Sequence, residues 1–596
     1  MSETQLPAFL TSARLAAIVV FAIWGLGTLW IRRPGWILGG VLGWCAYLWG
    51  ISTLPLGRIY ALEVGNDRLN NLALCTPVAA GAPFWETHQV GQLNWEPFWS
   101  LFTAALSGWN ADRLLRIYPY LPLLVVVGFA MSLYAGLRPA ADSEGDAWSA
   151  WERAFAVFFA LLLSTAPLDY EGRYRANWSV NFLLKPNHAL GLVLVPLVLA
   201  LFARLRSWGG RLAAGVLLHL LGWVFVLHWV YVSASLFVYL GITWLKRREL
   251  WRKAFADVAT AVGLNLLIVS PYLVMLLIGY PFTGRAPESV LPSVASHFLE
   301  ATLDQGIVFF LALWGGRVLY RRGDALSRLW LALAISAFGI WLAYLGLSWM
   351  ERARETDEIY YFLRVVTAVL AGIGAWNLAE SLVKLLEWPR ARGPAGILLL
   401  SLPLALPSFW DPWTMDSYFV RSVSPLPEVL LETTSFIRRE TEPDAVFVAG
   451  RGDSRYVAAL GGRRVYWDKF IHAPPDLERR SRLEHSLVLG ADGDAAQELV
   501  QQNVRYLLAS RDFLENYRGL TWAALAANLH LRQVWFAGDL AGDFFAVFRL
   551  GAPQRSDLLY SMSIHMAKKS DWRPVIIRKA EKMTPGRATL PTENRK

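Results

Sequence analysis

The chain has 596 residues, enough for three or four soluble domains, yet 55% are apolar, only 17% are charged and the mean hydropathy is +0.35. So few charges do not coat several separate globules, which excludes a multidomain soluble protein. The formal charge of +10 is carried by short loops between apolar stretches and by the last part of the chain, so it argues for membrane orientation and against nucleic acid as a partner.

Apolar stretches near the length that crosses hydrocarbon as a helix recur up to about residue 410. Candidate helices fall near 14–31, 36–56, 116–137, 153–167, 188–203, 212–229, 231–245, 256–276, 304–321, 328–348, 360–384 and 395–410, about twelve in all. The first follows a single basic residue and runs into Arg32-Arg33 with no small-residue cleavage site, so it reads as a retained helix and not a removed signal. The many Trp and Tyr fit two wet interfaces, where amphipathic rings settle. Cys45 falls in a span and Cys75 in a loop, which is no disulfide or metal framework.

Alternate loops differ in kind. One set is short and basic, including Arg32-Arg33, Arg204 to Arg211, Lys246-Arg247-Arg248, Arg317 to Arg328 and Lys384 to Arg392. The other, near 57–115, 168–187, 277–303 and 349–359, is long and mixed in charge. The gradient places the short set in the cytoplasm and the long set outside, with the N-terminus and everything after residue 411 on the outer side. The localisation expected is therefore the cell membrane, multi-pass, with an extracytoplasmic C-terminal domain.

Beyond residue 420 the pattern changes. LPEVLLETTSFIRRE has helical periodicity, DAVFVAG reads as a strand, RYVAALGG as a helix closed by glycine, and VRYLLAS, RQVWFAG and FFAVFRL as further strands. The division expected is a membrane domain over 1–410, a soluble α/β domain over 411–551 and a basic, disordered tail over 552–596 that touches acidic headgroups.

The outer loop 57–115 is longer than a connector requires and carries function or disorder. Its segment NWEPFWSLFTAALSG alternates apolar and polar residues at helical spacing, as an interfacial helix does. Glu63 and Asp67 follow the second span, and a carboxylate held at the membrane surface takes a proton from an incoming hydroxyl or amine when burial tunes it. The plainer reading of Asp67 is a loop aspartate or helix cap, and spacing alone favours it. The second outer loop gathers Asp169, Glu171, Arg173, Arg175, Lys185 and His188, an ion-pair network or a polar site at the mouth of the fifth helix. Lys185 suits a lipid phosphate or simple snorkelling equally; His188 is more often a helix-start hydrogen bonder. Tyr361 and Arg364 open the eleventh span, and an arginine there points into the bundle toward an anion. No phosphate loop, HExxH, CxxC or GxSxG element is present.

The order and spacing of these pieces resemble the GT-C superfamily of polytopic glycosyltransferases, in particular the branch of protein O-mannosyltransferases and lipid A aminoarabinose transferases. GNDRLNNLAL at 65–74 stands where that family has D-E-x-x-Y-x-x-x-A, Asn94-Trp95-Glu96-Pro97 stands for its His-Pro-Pro, and Tyr360 to Arg364 is similar to its R-Y-x-x-P element. Arg68 takes the place of the second acid. The resemblance implies a GT-C-like fold of about twelve spans and transfer of a sugar from a polyprenyl-phosphate donor to a glycan, lipid or protein acceptor. It makes Asp67 the base, with Glu63, Asp169, Glu171, Lys185, His188, Tyr361 and Arg364 around the substrate, and leaves a divalent cation as an optional cofactor. The alternatives are a non-catalytic binder or transporter of lipid-linked saccharides and a degenerate envelope scaffold.

Overall fold

The computed structural model describes residues 33–53, 67–94, 96–138, 148–162, 186–205, 207–279, 294–349, 357–385, 426–450, 452–468, 476–490, 492–517 and 519–551, with a few isolated positions besides. The expected helix at 395–410, most of that at 14–31 and the basic tail lie outside the described residues.

In chain order the helices are α1 (Pro34–Thr53), α2 (Asp67–Ala79), α3 (Pro97–Leu106), α4 (Ala111–Ile117), α5 (Leu121–Gly136), α6 (Ala150–Leu162), α7 (Pro186–Ala203), α8 (Trp208–Val224), α9 (Val226–Lys246), α10 (Arg248–Gly279), α11 (Val294–Arg322), α12 (Ala325–Trp349) and α13 (Asp357–Leu385). Four stretches are long and apolar enough to cross a membrane by length and composition: Ala111–Gly136, Val226–Lys246, Ala325–Tyr344 and Phe362–Leu385. The protein is a multi-pass membrane protein. The expected spans 212–229 and 231–245 correspond to helices α8 and α9, of which only α9 is among those four, and the break between them falls at Phe225, whose φ of −160° and ψ of 111° are extended. Segment 67–79, read as loop, is helical and buried nearly all round from Asn71 to Ala79, which makes it a core helix of its unit.

The chain divides into two compact units. The first holds the described residues up to 53, 96–99 and 117–385; the second holds 67–94, 100–116 and 426–551.

In the first unit, α6, α11 and α13 meet at backbone distance. A side chain at Gly315 would overlap the Leu370 carbonyl, and one at Gly374 the Leu311 carbonyl, so small residues set this contact. A polar staple joins the same three helices. Glu152, 1% exposed, accepts from Asn377 Nδ2 at 3.0 Å and pairs with Arg322 at 3.0 Å. Ser149 caps α6 by accepting from the Glu152 amide, the S-x-x-E start signal, while the Glu152 carboxylate turns to the neighbouring helices.

The second unit is built on a five-stranded sheet in the order β2-β1-β3-β5-β4. It is formed by β1 (Val446–Ala449), β2 (Arg464–Val465), β3 (Val504–Ser510), β4 (Leu531–Gly538) and β5 (Phe544–Leu550). β1 is parallel to β2 and β3, while β5 is antiparallel to β3 and β4. All four residues of β1 are buried, as suits a central strand covered on both faces. Val448, Leu507 and Phe548 pack with Leu487 and Leu499 from the flanking helices.

The short β2 edge does not face water. Residues 85–94 fold back on themselves, with Thr87 N donating to Gln92 O and Asn94 N to Trp85 O, and the arm at 88–90 joins β2. Val465 N donates to His88 O at 2.8 Å, and Val90 N donates to Val465 O at 3.1 Å. Side chains reinforce the seam. His88 Nε2 lies 2.9 Å from Asp468 Oδ2, Asp468 N donates to Gln89 Oε1 at 2.7 Å, and Arg464 pairs with Glu86 at 2.7 Å. Covering an edge in this way removes a template for unwanted strand pairing. Because His88 and Asp468 are 1% and 2% exposed, Asp468→Ala strands a buried ring nitrogen; we expect a loss of about 1–3 kcal/mol, read as a lower melting temperature of the full chain.

Candidate functional site

Two prolines open the helices that assemble the site. Pro97 begins α3 and Pro186 begins α7, positions where a missing N–H costs nothing. The residue before Pro97 is Glu96, and Asn187 and His188 fill the first turn of α7. Glu96 is 1% exposed; its Oε2 accepts from Asn187 Nδ2 at 2.5 Å and its Oε1 lies 3.2 Å from His188 Nε2. A carboxylate this far from water needs such donors, and here one neutral amide and one imidazole supply them.

Aromatic rings continue from this pair into the bundle. His188 stacks on Phe225 at 3.9 Å, and Phe225 meets His228 edge-on at 4.8 Å. His228 lies 5.1 Å from Phe362, which stacks on Tyr231 at 4.1 Å. Gly191, one turn after His188, makes room for the His228 ring; a side chain there would overlap Nδ1. Phe362 stands two residues before Arg364, which is 3% exposed on α13. The break at Phe225 thus matters to the site, since it lets α8 end and α9 begin beside the mouth of α7.

Glu96 and His188 are two donors of the kind metals take. Among the described residues no group of three or more His, Cys, Asp or Glu is placed to hold a metal ion, so no step is derived through one.

No family model and no curated protein matches the chain. Solved structures do. ArnT from Cupriavidus metallidurans bound to undecaprenyl phosphate is 16% identical, with 88% of this chain and 100% of that one aligned at a TM-score of 0.50. The chain has the GT-C fold. The same ArnT in the apo state gives 15% identity over 87% and 99% of the two chains, with a TM-score of 0.49. The Archaeoglobus fulgidus oligosaccharyltransferase tethered to an acceptor peptide with the NVT sequon gives 12% over 88% and 74%, with a TM-score of 0.48.

Within the GT-C fold the sequence candidates fare unequally. His188 is 13% exposed and begins the run of rings that ends at Phe362, while Arg364 is buried on α13 two residues further along, which does not place it on the same helix face. Asp67 is the first residue of α2, which begins where the loop was expected; its side chain lies outside the described residues, as does that of Tyr361. Glu63, Asp169, Glu171 and Lys185 also lie outside them. Glu96, Asn187 and His228 are additions. A signal for Glu96 was present in the chain: an acid directly before a helix-opening proline, in the segment that stands for the family's His-Pro-Pro. His228 had none, being one polar residue in a stretch that reads as continuous hydrocarbon.

Asn187→Leu keeps the volume and removes a donor to a buried carboxylate. Its expected cost is about 1–3 kcal/mol, measured as a fall in the melting temperature of the detergent-purified chain.

Proposed function

We propose that the protein is a membrane glycosyltransferase that moves a hexosyl or pentosyl group from a polyprenyl-phosphate donor to an acceptor at the extracytoplasmic face, with inversion. The observation that carries this reading is a buried, doubly held Glu96 at the mouth of α7 in a chain of GT-C fold. A buried carboxylate beside stacked aromatic rings suits the hydroxyl groups and apolar face of a sugar. The ArnT structure was solved with undecaprenyl phosphate, and that ligand class is what we carry over.

The reaction is a single displacement. An acceptor oxygen or nitrogen forms a bond to the anomeric carbon while the bond from that carbon to the phosphate oxygen breaks. The electron pair leaves with the lipid phosphate, and the acceptor proton passes to a carboxylate, for which Asp67 is the proposed base. Arg364 and Lys185 stabilise the phosphate as its charge grows. Glu96 accepts hydrogen bonds from sugar hydroxyls, kept in one orientation by Asn187 and His188. Glu63, Asp169, Glu171 and Tyr361 are proposed as further substrate contacts. The topology of about twelve spans with an outer C-terminal domain belongs to the same proposal, as does the optional divalent cation.

Purified protein incubated with a panel of polyprenyl-phosphate sugars should release lipid phosphate, followed by mass spectrometry. Asp67→Asn should retain donor binding and lose at least about a hundredfold in turnover. Donor binding without turnover in the unaltered chain, with and without divalent cations, would instead identify a carrier of lipid-linked saccharides.

A further inference from the structure

At the other end of the first unit, about 27 Å along α9 from His228, lies a second polar cluster that the transfer reaction does not use. Tyr239, Thr243 and Lys246 follow one another on a single face of α9 at spacings of four and three residues. Arg328, in the first turn of α12, faces Tyr239 with its guanidinium 5.7 Å from the ring centroid. Lys246 is half-buried over the Tyr320 ring at 3.0 Å and donates to the Tyr320 carbonyl. The charges of Arg328 and Arg247 are near enough to repel that of Lys246.

Among the described residues neither Arg328 nor Lys246 forms an ion pair with an acid. Arg328 is only 4% exposed, forms no ion pair among the described residues, and its Nε meets no acceptor. The Thr243 hydroxyl, fully buried, also has no partner. Asp324 is engaged as the cap of α12, accepting from the Ser327 amide and hydroxyl, and Glu249 pairs with Arg247 at 3.7 Å in solvent. An arginine withdrawn from water at the end of a membrane helix is costly without an anion. The donors here are a guanidinium, an ammonium and a hydroxyl, which together match phosphate oxygens.

We propose that Arg328, Lys246 and Thr243 form a binding site for the phosphate of an anionic lipid headgroup, separate from the Glu96 cluster. Such a lipid ties α9 to α12 by bridging cations from both helices. A lipid is favoured over a soluble phosphate because the site lies at the end of a span, with Trp244 and Leu245 exposed beside Lys246 on the apolar surface.

Native mass spectrometry of the full chain, titrated in separate arms with phosphatidylglycerol, phosphatidylcholine and inorganic phosphate, tests the site. Phosphatidylglycerol should be retained in preference to phosphatidylcholine, and Arg328→Gln and Lys246→Gln should each weaken retention about fivefold. Arg328→Lys, which keeps the charge, should restore most of it and guards against a variant that fails to fold. Equal retention of both lipids, full retention by Lys246→Gln, or binding of inorganic phosphate as tight as that of the lipid would each overturn the proposal.

Discussion

A carboxylate removed from water inside a bundle of apolar helices dictates much of what surrounds it. Without hydrogen-bond donors, burying the Glu96 carboxylate would cost several kcal/mol. The structure supplies an amide and an imidazole from the first turn of α7, and both depend on where that helix starts. Pro186 fixes the start. Phe225 then packs on the imidazole, His228 on Phe225, and Phe362 on His228, so one polar requirement organises the ends of α7, α9 and α13. The GT-C fold brings these ends together because successive spans alternate in direction, returning every second helix end to the same side.

Much of the architecture was legible in the chain. Continuous apolar runs gave the helices α5, α7, α12 and α13 close to their observed bounds, whereas α10 and α11 begin at Arg248 and Val294, well before the expected starts at 256 and 304. Short runs of β-branched, aromatic and other apolar residues likewise marked β1, β3, β4 and β5. The elements that escaped are those decided by distant contacts. Two-residue β2 is a strand only because β1 and the arm at 88–90 flank it. Helix α2 looked like loop because its asparagines and arginine weaken the apolar stripe, and burial of Leu69, Leu72 and Ala73 outweighs that local preference.

The site was legible in the same uneven way. His188 and Arg364 were marked by position, because a charged or polar residue at a helix mouth stands out against apolar neighbours. Glu96 stood in a motif-like segment but was overshadowed by Asp67, the acid whose place in the first outer loop matched the family pattern. Its setting emerges only in the fold, from Asn187, 91 residues away in sequence, and the adjoining His188. At the opposite end of the bundle the cations were read solely as orientation signals. Burial distinguishes Arg328 from its solvated neighbours, and sequence carries no direct sign of burial.

The seam between residues 88–90 and β2 joins parts of the chain 380 residues apart. A ribosome adding roughly 5–20 residues per second needs about 20–75 s to go from one to the other. Throughout that interval, while the chain from α3 to α13 is being made, the early arm has no edge to join. The arm at 88–90 therefore gains its partner only once β2 has been made, long after its own synthesis.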